Sequence, residues 1–155
     1  MEAKFRLSDV VADAPKIDVR ANASLFASKV QGIPGPNNRL DQQPDGTLNL
    51  GGDYRLPSLP LTVGGSLNWT PGYTTQLSPD QTARIGAKRV LDAYVLWTIN
   101  PSYQLRVSAS NLGPRQYDTG GSLESVNPLG QPIRTVTDAL APTYVNWQLR
   151  LEIKL

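Results

Sequence analysis

The 155-residue sequence predicts an all-β fold, an antiparallel meander of about seven long strands. Three observations predict it. Apolar and polar residues alternate with period two in segment after segment, which places successive side chains on opposite faces of a strand. Helical spacing is nowhere persuasive, although Val10 to Ala14 could form a single turn. The connections alternate strictly between short and long.

The clearest strand is the last, within APTYVNWQLRLEIKL at residues 141–155. Val145, Trp147, Leu149, Leu151, Ile153 and Leu155 lie on one face, against Asn146, Gln148, Arg150, Glu152 and Lys154. It exceeds the usual strand of roughly 5–6 residues and matches the ~9–11 that a tilted strand needs to cross a bilayer. It also runs to the final residue, as the closing strand of an outer-membrane barrel does.

From the start of the chain, Phe5 and Leu7 alternate with Lys4 and Arg6. Ile17, Val19, Ala21, Ala23, Leu25 and Ala27 then alternate with polar residues that include Asp18, Arg20 and Asn22. The third strand sets Leu48, Leu50, Gly52, Tyr54 and Leu56 against Thr47, Asn49, Gly51, Asp53 and Arg55. The fourth sets Leu61, Val63, Gly65, Leu67 and Trp69 against Thr62, Gly64, Ser66 and Asn68. The fifth sets Leu91, Ala93, Val95, Trp97 and Ile99 against Asp92, Tyr94, Leu96 and Thr98. After a tight turn at Asn100-Pro101, Tyr103, Leu105, Val107 and Ala109 face away from Gln104, Arg106, Ser108 and Ser110.

Short connections fall near residues 12–15, 57–60 and 100–102; long ones fall at 31–45, 71–89 and 113–142. Tight turns on one rim and long loops on the other are the pattern of an outer-membrane β-barrel. Tyr54, Trp97 and Tyr103 flank the short turns, while Trp69, Tyr73 and Tyr144 sit towards the long loops, as two aromatic girdles would. The expectation is therefore that the meander is part of a transmembrane outer-membrane barrel. A soluble sandwich or lipocalin-like barrel with its apolar faces inward is the alternative, since alternation alone does not say which face is outward.

Composition narrows the function. The chain is 39% hydrophobic and 18% charged with a net charge of +2, and its basic residues are dispersed, which argues against nucleic acid as a partner. It contains no cysteine, so disulfide frameworks and thiolate metal sites are excluded. Histidine is absent too, which removes histidine-dependent triads, zinc sites and general bases. No run approaches the ~18 apolar residues of a transmembrane helix. The N-terminal MEAKFRLSDVVADAPK lacks the apolar core of a signal peptide, whereas an outer-membrane protein must be exported.

The segments DVRANASLFASKVQGIPGPNNRLDQQP (18–44), TLNLGGDYRL (47–56), GGSLNWTPGY (64–73), KRVLDAYVLWTINPSYQLRVSASNLGPRQY (88–117) and APTYVNWQLRLEIKL resemble the C-terminal barrel portion of a TonB-dependent outer-membrane receptor. The most specific piece is LDAYVLWTINPSYQLRVSASNL together with the terminal strand. Members mostly end in an aromatic residue where this chain has Leu155. The resemblance implies a barrel of about 22 strands around a separate plug. Residues 1–155 would be one segment of that barrel, without plug, TonB box or signal peptide. Its implied partners are outer-membrane lipid, the rest of the barrel and plug, the TonB complex and a ligand such as a ferric siderophore. Seven strands would not close a single-chain barrel, and two open edges in lipid would leave costly unpaired backbone groups.

Candidate sites are few. The loop at residues 32–43 could capture ligand or be a simple cluster of turn residues. Arg20, Arg55, Arg106 and Arg150 share the polar register and could attract an anionic chelate, or pair with the plug or with Asp18, Asp53, Asp92 and Glu152. Asp41 and Asp45 fall short of the 6–8 oxygen ligands that calcium takes, and read as solvated loop residues. Asn22-Ala23-Ser24 and Asn68-Trp69-Thr70 match a glycosylation pattern but lie inside strands. Gly64-Gly65 and Gly120-Gly121 lack a phosphate-loop context. No catalytic, metal or cofactor constellation is expected. The expected function is non-enzymatic: part of a receptor wall, or else a structural subunit closing a barrel by oligomerisation, or a soluble β-barrel binding protein.

Overall fold

In a computed structural model that describes residues 1–153, eleven strands follow one another. They are β1 (Glu2–Arg6), β2 (Ile17–Leu25), β3 (Gly46–Arg55), β4 (Leu61–Thr70), β5 (Tyr73–Ser78), β6 (Gln81–Ile85), β7 (Lys88–Thr98), β8 (Tyr103–Ser110), β9 (Tyr117–Val126), β10 (Pro132–Ala141) and β11 (Asn146–Ile153). All pairing is antiparallel, in two sheets ordered β1-β2-β3-β4-β7-β8-β11 and β10-β9-β6-β5.

The seven alternating segments of the sequence make up the larger sheet, and their pairing sorts its two faces. Ile17, Tyr54, Val63, Val95, Val107 and Leu149 lie in one cross-strand row, and Ala21, Leu50, Leu67 and Leu91 in another. A third row holds Leu61, Trp97, Leu105 and Leu151. Arg20, Asp53, Tyr94 and Arg106 take the opposite face, because a one-residue step along a strand reverses the side chain. Short turns close one end. The Asn100 side chain accepts hydrogen bonds from the Ser102 and Tyr103 amides, both at 2.9 Å, and so fixes the β7–β8 turn.

Two expectations are corrected here. The first is the single meander: two of the long connections, residues 71–87 and 111–145, contain hairpins of their own. These hairpins, β5–β6 and β9–β10, pair with each other through β6 and β9 to form the second sheet. Periodicity misses them because neither face is apolar. PIRTVTDALA in β10, for instance, scatters Ile133, Val136 and Leu140 among Arg134, Thr137 and Asp138. Backbone pairing and turn chemistry form these strands without an apolar stripe. Asn127, for example, accepts amide hydrogen bonds from Leu129 and Gln131, with Gly130 in the left-handed region at φ 76°.

The second correction is the transmembrane barrel. Neither sheet closes; the larger is bounded by β1 and β11 and the smaller by β10 and β5. The outer-membrane location rested on the transmembrane-barrel reading and is withdrawn with it. Among the described residues no helix is long and apolar enough to cross a membrane. The aromatic residues read as girdles do not form two bands: Trp69, Trp97 and Tyr103 are exposed on the larger sheet, Tyr54 is half-buried there, Tyr73 lies in the second sheet and Tyr144 in the loop before β11. The final alternating positions, Lys154 and Leu155, lie outside the described residues.

Face sorting also leaves the apolar side uncovered. Among the described residues the buried apolar side chain is Ala109, while Leu91, Val95, Trp97, Val107, Leu149 and Leu151 are exposed.

Candidate functional site

The polar face of the larger sheet gathers the side chains with the most chemistry. Asp53 of β3, Gly64 of β4 and Tyr94 of β7 stand directly opposite one another across three strands. Gly64 is the reason the outer two can meet. A Cβ there would come within 2.3 Å of an Asp53 carboxylate oxygen and 2.5 Å of the Tyr94 ring. With that space empty, the Tyr94 hydroxyl reaches across β4 and donates to Asp53 at 2.5 Å. Asp53 also accepts from the Arg20 guanidinium, again at 2.5 Å. Burial raises the Tyr94 phenol above its ordinary range, and the hydrogen bond to Asp53 adds to the shift.

Arg106 of β8 stacks its guanidinium on the Tyr94 ring, 4.3 Å from the centroid. Its Nε is buried and has no hydrogen-bond partner among the described residues. Arg106 and Arg150 are directly opposite in the β8–β11 register, so each has a like charge for its cross-strand neighbour. Arg20, Asp53, Tyr94 and Arg106, together with Ser66 and Ser108, line an open depression of about 310 Å³.

The four arginines of the polar register thus have different fates. Arg20 is paired with Asp53 as pairing predicts, whereas Arg55, Arg106 and Arg150 make no ion pair among the described residues. The carboxylates diverge as well. Asp18 is taken by Arg6 at 3.1 Å, and Asp92 accepts the Asn111 amide at 2.9 Å. Glu152 stands opposite Gln104.

The loop at residues 32–43 folds on itself rather than standing open. Val30 donates to the Asn38 carbonyl at 2.7 Å, and the Asn38 side chain donates to the carbonyls of Val30 and Ile33. The Gln76 amide of β5 donates to the Asn37 carbonyl, which ties the loop to the second sheet. Asp45 is held by Arg39, and Asp41 accepts the amide of Gln42. Among the described residues no three Asp, Glu, His or Cys side chains converge as a metal site would require.

The second sheet carries its own charged bridge. Arg84 of β6, Gly120 of β9 and Asp138 of β10 stand opposite one another, and Arg84 spans the glycine to reach Asp138 at 2.6 Å. It also grips Asp118, donating at 3.0 Å through Nη2. That hydrogen bond from Arg84 holds the Asp118 carboxyl below its usual range. Both bridging glycines sit in the Gly-Gly pairs noted in the sequence, where nothing marks their bridging role. The legible signal is a glycine in a middle strand with long polar residues facing it on both sides, which can be recognised only once register is known.

The receptor resemblance predicts kinship that comparison does not find. Family models, curated proteins and solved structures were compared with the chain, and none of them matches. The TonB-dependent receptor identification, its siderophore and TonB partners and its transport role are accordingly set aside.

Proposed function

We propose that the chain is a non-enzymatic β-sheet interaction module that works assembled with another polypeptide. The observation carrying this reading is the apolar face whose cross-strand row runs from half-buried Ile17 and Val63 to exposed Val95, Val107 and Leu149. Contiguous apolar surface beyond a few hundred Å² is a mark of an interaction site. Each large side chain left in water there forgoes roughly 1.5–3 kcal/mol of transfer free energy. The absence of histidine and cysteine supports a binding role over catalysis.

The test is particle mass by sedimentation, on the wild type and on a variant carrying Leu67→Lys, Val95→Glu and Val107→Lys. The wild type is expected above monomer mass and at a higher mass than the variant. A folded wild-type monomer that binds no apolar dye would sink the reading.

A second reading follows from Arg106. Its stacked, unpaired guanidinium beside Ser108 suits a small carboxylate ligand in the depression on the polar face. Calorimetric titration with citrate, against the Arg106→Gln variant, tests it. Heat of binding that is identical in both proteins would reject the site.

A further inference from the structure

The larger sheet has an odd number of antiparallel strands, so its two edge strands, β1 and β11, run in the same direction. Joining β11 of one copy to β1 of the next, head to tail, would therefore make a parallel pair, which is slightly less stable per residue and foreign to this sheet. An antiparallel join between copies that keeps their apolar faces on one side requires each edge to meet itself across a two-fold axis. A two-fold axis perpendicular to the sheet also keeps the apolar faces on the same side.

The two edges are not equally suited. β1 has five residues, three of them charged and already engaged: Glu2 with Lys4 at 2.9 Å, and Arg6 with Asp18. Short, charged edges resist further pairing. Centring β1 on itself would also oppose Lys4 to Lys4. β11 is longer, lacks proline, and its two charges have no ion-pair partner among the described residues. Arg150 faces Arg106, and Glu152 faces Gln104.

Registers for β11 against itself can be ranked by charge alone. Centred on Arg150 or on Glu152, like charges meet across the axis. Centred on Leu149, Arg150 meets Gln148 and Glu152 meets Asn146, and no ion pair forms. Centred on Leu151, Arg150 of each copy meets Glu152 of the other, Leu149 meets Ile153, and Leu151 meets Leu151. Only this register satisfies both charges while keeping apolar residues opposite apolar ones.

The geometry points to a second copy of this chain as the partner, docked by antiparallel β11–β11 pairing about a two-fold axis at Leu151. This rests on the assembly reading, names a second copy as the partner at the sheet edge, and leaves the apolar faces of the joined sheets together on one side. The exposed backbone of β11 supplies the hydrogen bonds, and the Arg150–Glu152 pairs supply the register.

Cysteine cross-linking tests the pairing directly, because the chain has no cysteine to compete. Leu151→Cys places two thiols across the axis, where opposed Cα atoms about 4.5–5.5 Å apart suit a disulfide. Leu149→Cys places its thiols about 13 Å apart along the strands and is expected to cross-link poorly. Mixing Leu149→Cys with Ile153→Cys should restore covalent dimer. Equal yields from Leu151→Cys and Leu149→Cys, or none from Leu151→Cys, overturn the pairing.

A charge swap gives an independent arm. Arg150→Glu should weaken dimerisation about tenfold by opposing like charges twice, and Arg150→Glu with Glu152→Arg should recover it. Failure of the double variant to recover overturns the register. A wild type that sediments above monomer mass without Leu151→Cys cross-links loses this pairing but keeps the assembly reading. A folded monomer loses both.

Discussion

The two sheets of this protein use similar backbone pairing and differ in how side chains are sorted. The seven-stranded sheet segregates apolar from polar across its faces, so its polar face carries a hydrogen-bonded cluster while its apolar face awaits a cover. The four-stranded sheet gathers Arg84, Asp118, Glu124, Arg134 and Asp138 on one face but makes no apolar face, since Tyr73, Ile85 and Leu123 share the other with threonines and Gln81. Its strands are joined by Arg84, Asp118, Asp138 and the Thr82–Ser122 hydroxyl pair at 2.8 Å. The first sheet is thus defined by an interface it has yet to make, and the second by bonds it already has.

Substitution at the bridging glycine should separate these modes most sharply. Gly64→Val drives a side chain into Asp53 and Tyr94, and is expected to cost about 1–3 kcal/mol by overpacking. A lowered urea midpoint with the second sheet's amide protection unchanged would confirm that the two sheets fail separately. Loss of both together would dissolve the distinction.

Tyr94→Phe should cost less, about 0.5–1.5 kcal/mol, since it removes one hydrogen bond and keeps the ring under Arg106. The same phenol gives a pH signature. Its proton is held more tightly folded than unfolded, so its contribution is complete below the ordinary tyrosine range near 10 and is lost as pH rises through the raised value. Asp53→Asn should bring the Tyr94 absorbance titration part of the way back, because burial remains. An unchanged titration would remove Asp53 from the account.

In the second sheet, Arg84→Gln should fray the β9–β10 hairpin, seen as faster amide exchange at residues 132–141, with little change in the larger sheet. The fraying should be mimicked in the wild type by high salt, which screens exposed ion pairs. Asp118, held low by Arg84, contributes above its ordinary carboxyl range and loses that contribution as pH falls through the lowered value. Exchange at residues 117–126 that ignores both salt and acid would show the bridge to be ornamental. The smallest effect belongs to Asn127→Ala, at about 0.5–1 kcal/mol, felt only at the β9–β10 turn.

The sequence makes the larger sheet legible because burial logic and strand geometry share a period of two: from Val145 onward the alternation does not slip. The same logic leads astray on what covers that face. Period two distinguishes in from out but carries no information on whether lipid, a second sheet or another chain lies beyond. The β5–β6 and β9–β10 hairpins are illegible for the opposite reason. YTTQLS and PIRTVTDALA form strands through backbone pairing to the adjacent strand of their own hairpins, and their side chains leave no stripe to read. The candidate site is half visible. Arg20 with Asp53 follows from shared register, but Tyr94 enters only through the gap at Gly64, and a gap is a property of three aligned strands.

The two hairpins between sheet strands have a further consequence, in time rather than in structure. β4 must find β7, and β8 must find β11, across intervening chain that costs entropy to close. When Tyr73–Ser78 and Gln81–Ile85 zip together, they fold the intervening segment back on itself and deliver Thr70 next to Lys88, which are already partners in the β4–β7 register. The β9–β10 hairpin does the same for Ser110 and Asn146. A hairpin closes in about 1–10 μs, far sooner than an unaided long-range search. The small sheet is therefore the clasp that sets the order of assembly, and weakening it should slow the folding of the larger sheet.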